Sequence, residues 1–519
     1  MNRRHFLQTS AAGLSVGGCS QGSSLMPKTD PFSDAIVSPL LTAALQAARD
    51  AGASYADARL SHHRDQRIST REARVTSTSD TRSSGVGIRV LFDGTWGFAA
   101  TPNLDADSIV ATVQRAVEIA RTNSQLQQAA TRLAAIPTQI GRWETPIKRD
   151  AFDVTLNEKV DRLLSINALA TAHPGIRFAN SSMHFVREHK FLATTEGTWV
   201  EQVLHRCNPT FRVTSVDDKT GSFRSRNALC APQGRGYDFI DEYDWESDVQ
   251  QAAQDAVALH TAQRVEPGKY DLVLLPSHLW LTIHESIGHP TELDRAMGLE
   301  ANYAGTSFLT PDKLGKAQVA ASHINFVAER TTPGGLATAK WDDDGAPTEE
   351  WPLIQDGVFV DYQTTRDQAH WIHQTHGHAC SYAQSWRDVA FQRMPNINLL
   401  PGVQPLNLDQ LIGDTQRGIL IAGRGSYSID HQRYNFQFGG QTFHEIKDGQ
   451  VVGPLADVAY QSNTTEFWNA CDAVCSEGYE INGSFYDGKG QPGQVNAVSH
   501  GCPPARFRNI EVLRTGSAT

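Results

Sequence analysis

The sequence has no uninterrupted apolar run of 18 residues and no block of basic residues. The first absence excludes a bilayer-spanning helix, which needs about 20 consecutive apolar residues. The second, with a net charge of −11 from 46 Lys and Arg against 57 Asp and Glu, argues against nucleic acid or an anionic membrane surface as the main partner. Cysteine is scarce too. Seven in 519 residues make no disulfide framework, and none forms the Cys-x-x-Cys pair of a structural zinc site. Cys471 and Cys475 suit a bridge or two packed thiols equally. There is no repeat of fixed period, and no low-complexity tract beyond the N-terminus. What is present is 40% hydrophobic and 20% charged residues, the composition of a soluble globular protein. The length exceeds what one core holds, so two or three domains are expected.

The first 33 residues read as an address. Arg3-Arg4 within Asn2–Gln8 is a twin-arginine pattern, a small-residue apolar stretch follows from Ala11 to Gly18, and Val16-Gly17-Gly18-Cys19 has the form of a lipoprotein processing site. The expectation is export by the twin-arginine route and residence as a periplasmic or cell-envelope lipoprotein. Membrane attachment would come only through a lipid on Cys19, with the Ser-, Gly- and Pro-containing stretch that follows as a tether.

Apolar spacing by three and four predicts a helix over 36–50, strands from Tyr55 to Ala100, and a helix capped by Asp105. These make an N-terminal α+β domain over 35–135. A middle α+β region over 150–265 holds helices near 155–172 and 247–263 around alternating strands between Ile176 and Val213. Residues 266–517 begin with a buried strand, Leu272–Leu275, and continue as short strands between Gly, Asn and Asp turns. The expected class is α+β, with an antiparallel β-rich C-terminal domain carrying the functional site. Asp342-Asp343-Asp344-Gly345 lacks the remaining ligands of a calcium loop and reads as a solvated turn.

That site is His284-Glu285-Ser286-Ile287-Gly288-His289. Neutral imidazoles are good zinc ligands, and a carboxylate beside them can take a proton from water, which is the minimum equipment for hydrolysing an amide. The two histidines are five apart, about 500° of rotation on a regular helix, and so face roughly 140° away from each other. For both to reach one ion the helix must widen or end between them, and Gly288 followed by Pro290 permits that. Ligand softness favours zinc over iron or manganese.

The motif, with His289-Pro290-Thr291-Glu292-Leu293-Asp294, Asn302–Phe308, Asp342–Gly345, Leu353–Gly357, Arg393-Met394-Pro395-Asn396, Gly488-Lys489-Gly490-Gln491 and Val498-Ser499-His500-Gly501, resembles the TldD/PmbA family of zinc peptidases, in its TldD-like half. The resemblance covers the chain from about residue 40. It implies a metallopeptidase acting on unstructured peptides, a two-lobed assembly enclosing the site, and pairing as a homodimer or with a PmbA-like partner. It also implies a third metal ligand from a cysteine in a Cys-Gly-Lys segment, where this chain has Asp487 before Gly488-Lys489. Cys502 lies close by in sequence.

Cys502 is the preferred third ligand as the softer donor, Asp487 the alternative, with Glu292 or His500 behind them. Glu285 is the expected general base, and Glu292 either orients a ligand or faces solvent. The stretch Arg433, Tyr434, Asn435, Phe436, Gly439 and Gly440 is expected to bind an extended peptide backbone. His376 and His378, in a histidine-rich loop with His370 and His373, are expected to line the cleft, with a second metal as the lesser alternative. Two rivals to the peptidase remain: a non-catalytic peptide-binding or scaffold subunit with a fully ligated structural metal, and a hydrolase of another amide.

Overall fold

The computed structural model describes residues 34–126 and 129–515. The twin-arginine segment, Cys19 and the tether lie outside the described residues.

Helices α1 (Asp34–Asp50) and α2 (Ala106–Ser124) flank strands β1 (Tyr55–Arg71), β2 (Arg74–Phe92) and β3 (Thr95–Thr101). The Asp105 carboxylate accepts the Ser108 N–H at 2.8 Å and so caps α2. The middle region adds β4 (Ile140–Glu144), helix α3 (Leu156–Ala172), β5 (Ile176–Thr194), β6 (Trp199–Val216), β7 (Phe223–Asn227) and helix α4 (Trp245–Ala258). The boundary expected between the first two regions does not separate two sheets. β1 pairs antiparallel with β5 from Asp57↔Thr194 to Arg71↔Asn180, giving one seven-stranded sheet in the order β3-β2-β1-β5-β6-β4, with β7 on β6.

Alternation along these strands separates two jobs. One face is apolar: Ala56, Ala58, Leu60, Phe191 and Ala193 pack under α1 and α2, while Ile68, Met183, Phe185, Cys207 and Phe211 pack under α3 and α4. The other face carries Asp57, Arg59, Glu188, Lys190, Gln202 and Arg206, all buried, and it meets the C-terminal domain. Arg89 donates to Asp57 at 3.0 Å and to Asp344 at 2.5 Å. Lys190 donates to Asp343 at 3.2 Å, and Gln202 Nε2 to the Trp341 carbonyl at 3.0 Å. Asp342–Asp344 are therefore at most 4% exposed. The expected solvated turn is an acidic plug in a cationic sheet face, which a search for calcium-loop spacing could not show.

The C-terminal domain is built on a ten-stranded sheet. Its central strand β8 (Gly268–Leu274) is followed by helix α5 (Pro276–Ile283) and, further on, by β9 (Phe326–Glu329), β10 (Asn396–Leu399), β11 (Arg417–Ala422), β12 (Glu480–Lys489), β13 (Gln494–Cys502) and β14 (Ala505–Arg514). β8 pairs antiparallel with β14 and parallel with β11, so the sheet is mixed and not purely antiparallel. Leu272 and Leu274 enter the largest core, with Phe326, Ile397, Ile419, Trp468 and Phe507. β12 and β13 form a separate hairpin whose ladder slips between Ser484 and Asp487, an irregularity that re-aims the side chain after it. The six cysteines among the described residues are free and buried, so Cys471 and Cys475 are packed thiols.

Candidate metal centre

α5 enters at Pro276, which holds the first helical position without needing an N–H partner, and every residue from Pro276 to Ile283 is buried. At His284 the helix widens into a π turn over His284–Gly288, closed by the His289 N–H donating to the His284 carbonyl five residues back. The extra residue per turn brings the two rings together, with centroids 4.6 Å apart. Gly288 lets the helix pack closely here: a Cβ would lie 2.8 Å from Met394 Sδ, and the Met394 side chain would have to shift. Pro290 then starts a short 3₁₀ turn over His289–Thr291.

Hydrogen bonds fix the tautomers. His500 Nδ1 donates to the Ile397 carbonyl at 3.1 Å, so its Nε2 accepts from His284 Nδ1 at 2.8 Å. The lone pair on His284 Nε2 is left free. His289 Nδ1 donates to Glu292 Oε2 at 2.9 Å, nearer than the Arg295 guanidinium at 3.3 Å, which frees His289 Nε2 in turn. Both free nitrogens face Asp487 Oδ1, at 3.6 and 3.8 Å. Burial, with Arg295 next, lowers His289 to about 4, so the ring is neutral at physiological pH and a competent ligand. Burial works against the Asp487 anion, and whatever positive charge the site gains, first on His284 and His289 when they are protonated and then from Arg393 at 3.5 Å, holds its carboxyl below the usual range.

His284, His289 and Asp487 thus offer three ligand atoms within 4.8 Å of one another. Cys502, preferred from the sequence, is not in this group. It pairs across the hairpin with Glu480, deep in the core. Burial, then the Glu480 carboxylate, push its thiol well above the ordinary value, the reverse of what a thiolate ligand needs. The donor set of two imidazoles and a carboxylate fits a catalytic zinc, which takes three protein ligands and keeps a position open.

A buried network supports the three. Glu292 is fully buried, and Arg295 and Lys489 reach it at 2.8 and 3.2 Å. Burial opposes its charge, yet Lys489 and Arg295 hold it well below the ordinary carboxyl value. Lys489 also donates to Asp294 at 2.8 Å, and Arg393 donates to the Asp487 carbonyl. His500, a lesser candidate for third ligand from the sequence, stands behind His284 instead, while Trp280, Lys489, Arg295 and Arg393 carried no signal of their own beyond lying in or near quoted motifs.

The cleft over the centre has a volume of about 190 Å³ and is walled by Trp280, His284, Glu285, His289, Arg433 and Asp487, together with Arg424, Tyr427, Ser484 and Tyr486. Glu285 is ion-paired with Arg433, whose second guanidinium nitrogen donates to the Ala304 carbonyl at 3.2 Å. Arg433 has a left-handed backbone, φ +62°. A non-glycine residue held there marks a conformation that its surroundings enforce. Of the stretch expected to bind peptide, Arg433 alone lines the cleft. Tyr434 packs on Phe308, Asn435 bonds Asp430 at 2.7 Å, and Phe436 is buried against Phe438. Gly439 and Gly440 instead give room to Ser426 and Ile421. His376 and His378 are not brought to this cleft but gather with Glu349.

Three family models match the chain: PmbA/TldA metallopeptidase domain 1 over residues 56–120, the central domain over 149–260 and the C-terminal domain over 267–514. A protein named a metalloprotease in Methanothermobacter thermautotrophicus is 26% identical over 88% of this chain and 95% of its own length. A protein named a zinc metalloprotease TldD homolog in Saccharolobus solfataricus is 22% identical over 90% of this chain and 98% of its own. Among solved structures, TldE from Thermococcus kodakarensis superposes with a TM-score of 0.70 at 16% identity, covering 90% of this chain and 98% of that one, and so shares the fold. Spanned almost end to end by the three domain models in their order, the chain belongs to the PmbA/TldD metallopeptidase family.

Proposed function

We propose that the protein is a zinc-dependent peptidase hydrolysing unstructured peptides, with His284, His289 and Asp487 as metal ligands and Glu285 as general base. The observation that carries this reading is the convergence of two tautomer-fixed Nε2 atoms on one carboxylate oxygen, with a second carboxylate in the same cleft. Bound there, zinc supplies Lewis acidity, acidifying water and polarising a scissile carbonyl. Glu285 takes the proton of the attacking water and returns it to the leaving amine, a role worth about 10²–10⁴-fold in rate. Arg433 fixes the Glu285 carboxylate and places a positive charge beside the reacting carbonyl. Glu292 and His500 hold the ligand rings, which is the usual work of groups behind metal-bound imidazoles. A structural site has no need of a carboxylate such as Glu285 at its open side, which is why the scaffold reading is weaker.

A groove of about 920 Å³, walled by Arg64, Arg67, His184, Tyr382, Arg387 and Tyr486 among others, runs between the long sheet and the β12–β13 hairpin. Tyr486 belongs to both walls, which sets the groove beside the cleft, where it could hold the flanking part of an extended peptide. We place the enzyme in the cell envelope on the strength of the N-terminal pattern, working as a homodimer or with a PmbA-like partner. The deciding experiment is Glu285→Gln, with zinc content measured beside hydrolysis of a flexible peptide. Retained zinc with turnover lost by at least 10²-fold is expected; full activity would remove Glu285 from the reaction.

A further inference from the structure

A second cluster stands apart from the cleft. Glu349, His376 and His378 offer one ligand atom each within 4.8 Å of one another, the one other such group among the described residues. His378 is built into place. Its ring lies flat on Trp351, 4.4 Å between centroids at 2°. Its Nε2 is held by Asp361 Oδ2 at 2.9 Å, and Asp361 Oδ1 in turn accepts from Gln374 Nε2 at 2.7 Å and the Tyr362 N–H at 2.8 Å. Its Nδ1 faces Glu349 Oε1 at 2.6 Å. A carboxylate behind one ring nitrogen, with the other turned toward further ligands, is the arrangement that metal-binding histidines use. His376 stands edge-on to His378, 5.5 Å between centroids, and both His376 and Glu349 are exposed, so an ion has access.

We propose that Glu349, His376 and His378 form a second site for a divalent transition metal, zinc-class by its mixed imidazole and carboxylate donors, with Asp361 orienting the His378 ring. A cation bound here would take the place of the proton shared between His378 Nδ1 and Glu349 Oε1, releasing it to solvent. His376 sets a second imidazole beside the pair, a further donor that a metal would use. The ion would also stiffen the segment behind the catalytic turn. Two residues after Asp361, Gln363 donates its backbone N–H to the Thr291 carbonyl at 2.8 Å and its side-chain amide to Thr291 Oγ1 at 2.9 Å.

The test is elemental analysis of the full chain after equilibration with zinc chloride and gel filtration, for wild type, His376→Ala, Glu349→Gln, His284→Ala and the double variant His284→Ala/His376→Ala. His376 and Glu349 are exposed, so their variants keep the fold, which circular dichroism verifies. The expected result is two zinc ions per wild-type chain, one in each single histidine variant and none in the double variant. In the His284→Ala background, Asp361→Asn should weaken zinc binding by roughly 10–100-fold in a calorimetric titration. Wild-type stoichiometry in His376→Ala, or no zinc in His284→Ala, overturns the second site. A single zinc lost with His376 but kept without His284 upholds it and removes the active-site reading instead.

Discussion

Asp487 is where this chain departs most from its resemblance to TldD-like proteins, and its chemistry can be tested by exchange. Asp487→Ala should release zinc, leaving two imidazoles that hold it weakly. Asp487→Cys should restore binding, because the side chain already points between His284 Nε2 and His289 Nε2 and thiolate is the softer donor. Elemental analysis and a competition titration read both outcomes. His278, nearly two turns before the centre, sets an acid limit of its own. It is fully buried between the Gly423 carbonyl and the Tyr460 hydroxyl, and burial lowers it to about 4 from 6.5. Because the folded state holds this proton less tightly than the unfolded chain, its contribution is intact above about pH 6.5. That contribution is lost as pH falls toward 4, by about 3 kcal/mol over the window. His278→Gln should flatten that part of the stability profile, read by denaturant titrations at successive pH values. An unchanged slope would assign the acid sensitivity to other groups.

At the scale of elements, the π turn decides whether the site exists. The sequence announces the difficulty, two ligands five apart, and places Gly288 where the difficulty is resolved, so this piece was legible from spacing alone. Gly288→Ala should cost about 1–3 kcal/mol, since the new methyl meets buried Met394 in a packed core, and should weaken zinc binding at the same time as it lowers the melting temperature. The helices α1 to α4 were equally legible, from period and caps. The third ligand was not. Asp487 and Cys502 differ in how a slipped hairpin ladder aims them, a non-local property that softness arguments do not see. Gly85 and Gly87 lie inside β2, where Trp386 of the C-terminal domain packs against the strand too closely for a side chain, a contact that no local pattern announces.

Across the whole molecule, the charged face of the long sheet joins it to the C-terminal domain. Arg89 sits between Asp57 and Asp344. Arg89→Met would leave two buried carboxylates without their cation, at about 3–5 kcal/mol. Replacing Asp344 by Asn in the same chain should recover part of that loss. Chemical denaturation of the single and double variants measures both. The sequence concealed this joint because alternation identifies a polar face without saying what covers it. A run of three aspartates looks hydrated until the cations opposite are known.

A centre of two imidazoles and one carboxylate contains no sulfur. Peroxide, disulfide exchange and thiol-alkylating reagents have nothing to attack there, and the cysteine that stood as the alternative is sealed in the core. With Asp487 as the third ligand, as proposed, the metal grip of this chain would be insensitive to thiol chemistry and would loosen as protons compete for His284, His289 and Asp487.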